Sequence, residues 1–209
     1  MAAGLSLAPE RAPAAAAGAV VLTVGVLVTT VRFADTWAAF PRLVVLAAAA
    51  AAVFALLWGT PIEAGESPSP WQTALIAALL VLLIGSLGTL ADVLGTTAGN
   101  SRTLTWLSAI FVVECAWVAH RYRSAVAALF GALAVIVFTV SFVDWVFTPE
   151  SVTAFRWVLA ILSVALLAAA GVRRGDSVGQ GAQLANAAGV AAVAVAATFL
   201  AGLIQSAFA

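Results

Sequence analysis

The sequence predicts an all-α, polytopic membrane protein: a bundle of seven transmembrane helices with almost no soluble part. Three observations carry this. First, 64% of the 209 residues are hydrophobic and only 9% are charged, where a soluble domain carries roughly 25% charged residues. With a mean hydropathy of +1.13, a fold of this size could not hide so much apolar surface from water, and a bilayer removes the need to. Second, seven apolar stretches are each long enough to span about 30 Å of hydrocarbon. Third, the tryptophans fall close to the ends of those stretches, where an indole ring is buried and its N–H stays wet.

The first stretch, 13–31, is read as a retained helix. Its 19 apolar residues exceed the roughly 7–15 of a signal-peptide core, and no small-residue cleavage pattern follows Arg32. The second stretch is 41–58 and the third 71–94. Between them lies the longest loop, 59–70, with Gly59, Pro61, Glu63, Gly65, Glu66, Pro68 and Pro70, which break helices and favour turns. The remaining stretches are 103–119, 124–146, 154–172 and 183–206. Their connections are short and hold most of the charges. On this layout Trp58, Trp71 and Trp117 lie near one membrane surface. Trp37, Trp106, Trp145 and Trp157 lie near the other, with Trp106 one turn in.

Orientation follows from arginine, since the chain has no lysine. The amino-terminal side carries Arg11, Arg121, Arg123, Arg173 and Arg174; the opposite side carries Arg32, Arg42, Arg102 and Arg156. The paired arginines in two short loops favour a cell-membrane protein with a cytoplasmic N-terminus and an external C-terminus. The lack of lysine together with abundant alanine suggests a prokaryotic, GC-rich origin. It also excludes a retinal Schiff base, which needs a lysine amine.

An internal duplication is expected. Residues 26–35, VLVTTVRFAD, and 135–144, VIVFTVSFVD, share Val, Val, Thr, Val, Phe and Asp at matching positions. Three further likenesses follow in the same order: Ala39-Phe40-Pro41-Arg42 with Ala154-Phe155-Arg156, Gly65-Glu66-Ser67 with Gly175-Asp176-Ser177, and Leu90-Ala91-Asp92-Val93-Leu94 with Leu200-Ala201-Gly202-Leu203-Ile204. The reading is a single transmembrane domain, 1–209, of two parallel three-helix repeats, 13–94 and 124–206, joined by the helix 103–119. Chance likeness between Val- and Ala-rich helices is the competing account. The sugar carriers called SWEETs share this parallel arrangement; the likeness is of architecture only, because no proline stands in the middle of a span here.

The candidate site residues are polar groups in or near the bilayer. Glu114 lies well inside the fourth stretch, where a charged side chain costs about 2.5–3.5 kcal/mol on insertion scales. One reading is a proton- or cation-responsive site. The other is a carboxyl held by a neighbouring helix or snorkelling with Arg121, seven residues on. Asp92 ends the third stretch and has Arg102 as its expected partner. Asp35 with Arg42, and Asp144 with Arg156, repeat one pattern: an acid ends one helix and an arginine begins the next on the same surface. These read either as interfacial ion pairs fixing each hairpin or as a charged ring lining a vestibule between the repeats. Gln183 and Asn186 open the last stretch, read as a tightly packed central helix whose amides bond across to neighbours. Cys115 reads as a packing residue, and His120 and Tyr122 as facing lipid headgroups.

Other functions lack their residues. One cysteine and one histidine exclude an intrachain disulfide, a cysteine metal site and a histidine-rich metal centre. No phosphate-binding loop or nucleophile elbow is present, no cofactor is expected, and an enzymatic role has no positive support. Zero net charge gives no footprint for nucleic acid. Three functions stay open: a small-solute or ion carrier with Glu114 near its path, an accessory or scaffolding subunit with a membrane-protein partner, and a membrane sensor or enzyme. Lipid is the partner common to all three.

Overall fold

The structure is a computed structural model that describes residues 12–59, 67–97, 99–149, 151–175 and 178–207, with side chains as far as residue 199. Those residues form seven helices: α1 (Ala12–Arg32), α2 (Ala39–Trp58), α3 (Pro70–Val93), α4 (Ser101–Tyr122), α5 (Ala125–Phe147), α6 (Val152–Arg173) and α7 (Val178–Ala207). All seven are long and apolar enough to cross a membrane, and no strand occurs among the described residues. The chain is thus a multi-pass, all-helical protein whose outer surface meets lipid. Most of the 59–70 loop, and Asp176 and Ser177 of the duplicated pattern, lie outside the described residues.

The ends of the helices follow local chemistry. The Ser69 N–H donates to Gln72 Oε1 at 2.9 Å, and Pro70 fills the first helical position of α3, where a missing N–H costs nothing. At the other end of α3, Gly95 takes φ +71° and the Thr96 N–H reaches back to the Ala91 carbonyl at 3.0 Å. A side chain would be strained there. Ser124 starts α5 by accepting the Ala127 N–H on its hydroxyl at 3.2 Å, so α4 and α5 are joined by Arg123 and Ser124 alone. The clearest departure from expectation is α7, which begins at Val178, five residues before the predicted 183. At Gly181, α7 packs directly against the backbone at the end of α6. A Cβ at Gly181 would lie 3.0 Å from the Ala170 carbonyl oxygen and 3.2 Å from Arg174 Cα.

The chain divides into two compact units. The first comprises 1–98 with 117–127, the second 99–116 with 128–209. In the first, α3 packs on both α1 and α2, which also touch each other. Each helix presents an apolar stripe: Ala16, Ala19 and Thr23 from α1, Leu46, Ala49, Ala50, Val53 and Leu57 from α2, and Leu75, Ile76, Leu79, Leu80 and Leu82 from α3. The spacings of three and four residues place each set on one helix face. Phe54, Trp58, Trp117 and Tyr122 extend this unit as a chain of ring contacts.

The second unit is built on smaller side chains. Ala132 of α5, Leu166 of α6, and Ala187 and Ala188 of α7 form its buried cluster, flanked by Leu129, Leu133, Ile136, Leu162 and Leu184. Ser163 of α6 donates across to the Ala188 carbonyl of α7 at 3.0 Å. Gly131 of α5 lets Cys115 of α4 approach so closely that an added Cβ would stand 3.1 Å from the cysteine Cβ. The cysteine is therefore a buried packing residue, as expected. The expectation for α7 fails: only 17% of its span is buried, against 44% for α3. Asn186 is exposed and bonds to Gln183 of its own helix at 3.1 Å. Small residues give α7 one close contact face and leave the rest of it to lipid.

Candidate functional site

Hydroxyl groups in a span must find acceptors inside the protein, because hydrocarbon offers none. Most here bond to the carbonyl one turn back on their own helix, as Thr23 does to Ala19 at 2.8 Å. The α4–α5 contact in the second unit differs. Ser101, Thr105 and Ser108 recur on one face of α4, and Ser141 and Asp144 on the opposing face of α5. The Thr105 hydroxyl can donate to its own helix, at the Ser101 carbonyl 2.7 Å away, or across to Ser141 Oγ at 3.2 Å. The Ser101 hydroxyl donates to the Asp144 carboxylate. This ladder was not anticipated from sequence, although the i, i+4, i+7 spacing of hydroxyls on α4 is its visible trace.

The ladder borders a cavity of about 460 Å³ lined by Ser101, Leu104, Ile136, Val137, Val140, Ser141, Asp144 and Phe155. Its polar groups collect at the end where α4 begins and α5 finishes. Its apolar groups run down α5 toward Ile136. A second hollow, of about 400 Å³, lies where α6 meets α7, between residues that include Ala170, Arg174 and Gly181.

The charged candidates are placed differently from the expected hairpin pairs. Arg42 approaches Asp92, with 3.6 Å between Nη2 and Oδ2; it does not meet Asp35, which is exposed in the turn after α1. The face of α2 that carries Arg42 packs on α3, and Asp92 is on α3. Arg102, the expected partner of Asp92, instead lies over the Trp145 ring, 5.8 Å from its centroid. Nor do Asp144 and Arg156 pair. Asp144 is within α5, which continues to Phe147, and its carboxylate turns to Ser101. Arg156 stands on the side of α6 that meets α7. It donates to the Thr198 carbonyl at 2.7 Å and lies 4.3 Å from the Phe199 ring centroid.

Arg42 and Arg156 share a property. Each has its Nε buried without a hydrogen-bond partner among the described residues, and the only other side-chain atom in that condition there is Glu114 Oε2. The snorkelling pair suggested for Glu114 does not form: Arg121 sits over the Tyr122 ring, 5.5 Å from its centroid. Glu114 therefore keeps an unsatisfied carboxylate oxygen inside a spanning helix, next to the buried Cys115. Tyr122 is buried rather than facing headgroups, whereas His120 is exposed. No group of three potential metal ligands occurs among the described residues.

Comparison with family models, characterised proteins and solved structures finds no match to this chain.

Proposed function

We propose that this protein is a small-solute or ion carrier of the cell membrane, with Glu114 as a group that exchanges a proton or cation along the path. The observation that supports this is the Oε2 atom of Glu114, buried and without a partner among the described residues. An uncompensated carboxyl costs free energy in the bilayer, and a ligand or proton that comes and goes would account for keeping it. A filled scaffold would more simply carry Gln or Leu at this position.

The duplication belongs to the same proposal. In each triplet an arginine near the start of the second helix reaches to the third: Arg42 to Asp92 and Arg156 to Thr198. Those are the arginines that the sequence likeness aligns, and their shared geometry supports two parallel repeats. The cytoplasmic N-terminus remains part of the proposal on the arginine distribution alone.

The test is flux into proteoliposomes that hold a pH-sensitive dye, driven by gradients of sodium, potassium or choline. The proposal expects a cation-dependent proton flux that falls at least tenfold in Glu114→Gln while the protein stays folded. An accessory subunit, the second reading, is favoured by the leucine-filled interior of the first unit. It predicts no flux and a stoichiometric membrane partner on purification, and that result would remove the carrier.

A further inference from the structure

We infer that the α4–α5 cavity of the second unit is a binding site for a single-chain organic ammonium ion, with Asp144 as the counter-charge. The inference concerns a different carboxylate from Glu114 and stands whether or not the protein transports anything.

Three features of the cavity select this chemistry. The first is its polarity gradient. Ser101, Ser141 and Asp144 lie toward one end, at the level where α4 starts and α5 finishes. From Asp144 down to Ile136 is eight residues of α5, or about 12 Å at the helical rise of 1.5 Å per residue. Along that depth the lining is Leu104, Val140, Val137 and Ile136, with Phe155 of α6 as one wall. A ligand with a polar head and an unbranched apolar tail matches this gradient; a sugar or an inorganic ion would leave the lower part unfilled.

The second feature is the sign of the head. Both arginines that could neutralise Asp144 within this unit are engaged elsewhere. Arg102 lies over Trp145, and Arg156 donates to the Thr198 carbonyl. Asp144 has no arginine partner among the described residues. An anionic head would meet an uncompensated carboxylate, whereas an ammonium would complete it with a charge-assisted hydrogen bond.

The third feature is that Asp144 is not needed to cap α4. Asn100 already does so: its side-chain oxygen accepts the Arg102 N–H at 2.9 Å, and its carbonyl accepts the Leu104 N–H at 2.9 Å. The Ser101 hydroxyl, another lining group, donates to the carboxylate without removing its charge. Trp145, one residue on and edge-to-face with Phe142 at 6.4 Å between ring centroids, adds an aromatic neighbour at the head level.

The experiment uses the full chain in phosphatidylcholine nanodiscs and a decylammonium probe carrying a diazirine in its tail, with labelled peptides located by mass spectrometry. Labelling is expected at 136–140 and at Phe155. Unlabelled decylammonium should compete and decanoate should not. Asp144→Asn should weaken labelling at least tenfold. A second variant guards against a merely misfolded protein. Val140→Phe shortens the apolar part and keeps Asp144, so it should lose decylammonium while retaining a hexylammonium analogue. Equal labelling in Asp144→Asn, or equal competition by decanoate, would mean that the probe simply partitions into lipid, and would overturn the site. Displacement of the probe when phosphatidylethanolamine replaces phosphatidylcholine would assign the cavity to a bilayer lipid and overturn it equally.

Discussion

The two units of this protein solve the same packing problem with different side chains. The first fills its interior with bulk. Leu46, Leu57, Leu75, Ile76, Leu80 and Leu82 are all almost wholly buried, and its helices are held apart by interdigitating leucines. The second fills its interior by bringing backbones together. Its most deeply buried side chains are small, Cys115, Ala187, Ala188 and Ala191, while its large ones, Leu107, Phe111, Leu159 and Leu166, keep some exposure; its side chains reach to carbonyls of neighbouring helices: Ser163 to Ala188, Arg156 to Thr198. In lipid the difference has consequences. Burying a leucine between helices gains little over leaving it in the hydrocarbon, so helix association rests on close packing and on polar contacts that lipid cannot replace. The first unit relies mainly on the former, with Arg42 and Asp92 as its polar contact between helices. The second uses both, and its alanines and serines leave hollows that leucines would occupy.

The comparison can be broken most sharply at the glycines. Gly181→Ala is expected to destabilise the protein by about 3 kcal/mol, the upper part of the overpacking range, because the atoms in the way belong to backbone. In the first unit, a Cβ at Gly85 would meet only Leu27 and Leu46 methyl carbons, at 3.3 and 3.4 Å. Gly85→Ala should therefore cost well under half as much. Unfolding in mixed micelles, followed by tryptophan fluorescence, measures both, and equal losses would erase the distinction between the units.

Next in size is Leu80→Ala. It should cost about 2 kcal/mol, the lower end for a buried leucine, because in a bilayer the transfer part of the penalty is small and the cavity part remains. Leu166→Ala, in the looser second unit, should cost less in the same assay.

The smallest expected effects sharpen the parallel between the two arginines. Arg156→Ala loses a hydrogen bond to a carbonyl and a ring contact, worth about 1–2 kcal/mol together. Asp92→Asn removes the charge from a half-exposed pair and should cost no more than about 1 kcal/mol, falling as salt is raised. A larger loss for Asp92→Asn than for Arg156→Ala would show that the ion pair, not the carbonyl contact, anchors the second helix to the third.

Much of the fold was legible because the bilayer imposes a length. Six helices begin within two residues of where hydropathy placed them. The seventh differs because glycine carries two messages. Near water, glycine favours a break in a helix; against the backbone at the end of α6, Gly181 lets α7 continue. The candidate site was legible in part. Glu114 announced itself by its position in an apolar run, and the structure leaves it as exposed to question as the sequence did, with an oxygen unmatched. The hairpin ion pairs were misread, because adjacency in sequence says nothing about which face of a helix an arginine occupies. Phe155 and Arg156 are neighbours, yet one lines the α4–α5 cavity and the other reaches α7.

The sequence by itself determined that this chain has seven segments long and apolar enough to cross a membrane, where each begins to within a turn or two, and which polar residues are costly enough to need a reason. Length and hydropathy act on each segment alone, so no partner has to be known. Only the tertiary structure decided the partners: Arg42 with Asp92, Asp144 with Ser101, Arg156 with a carbonyl, and Glu114 with an oxygen left over. Those choices depend on helix rotation and close approach, which are set by packing between segments distant in the chain.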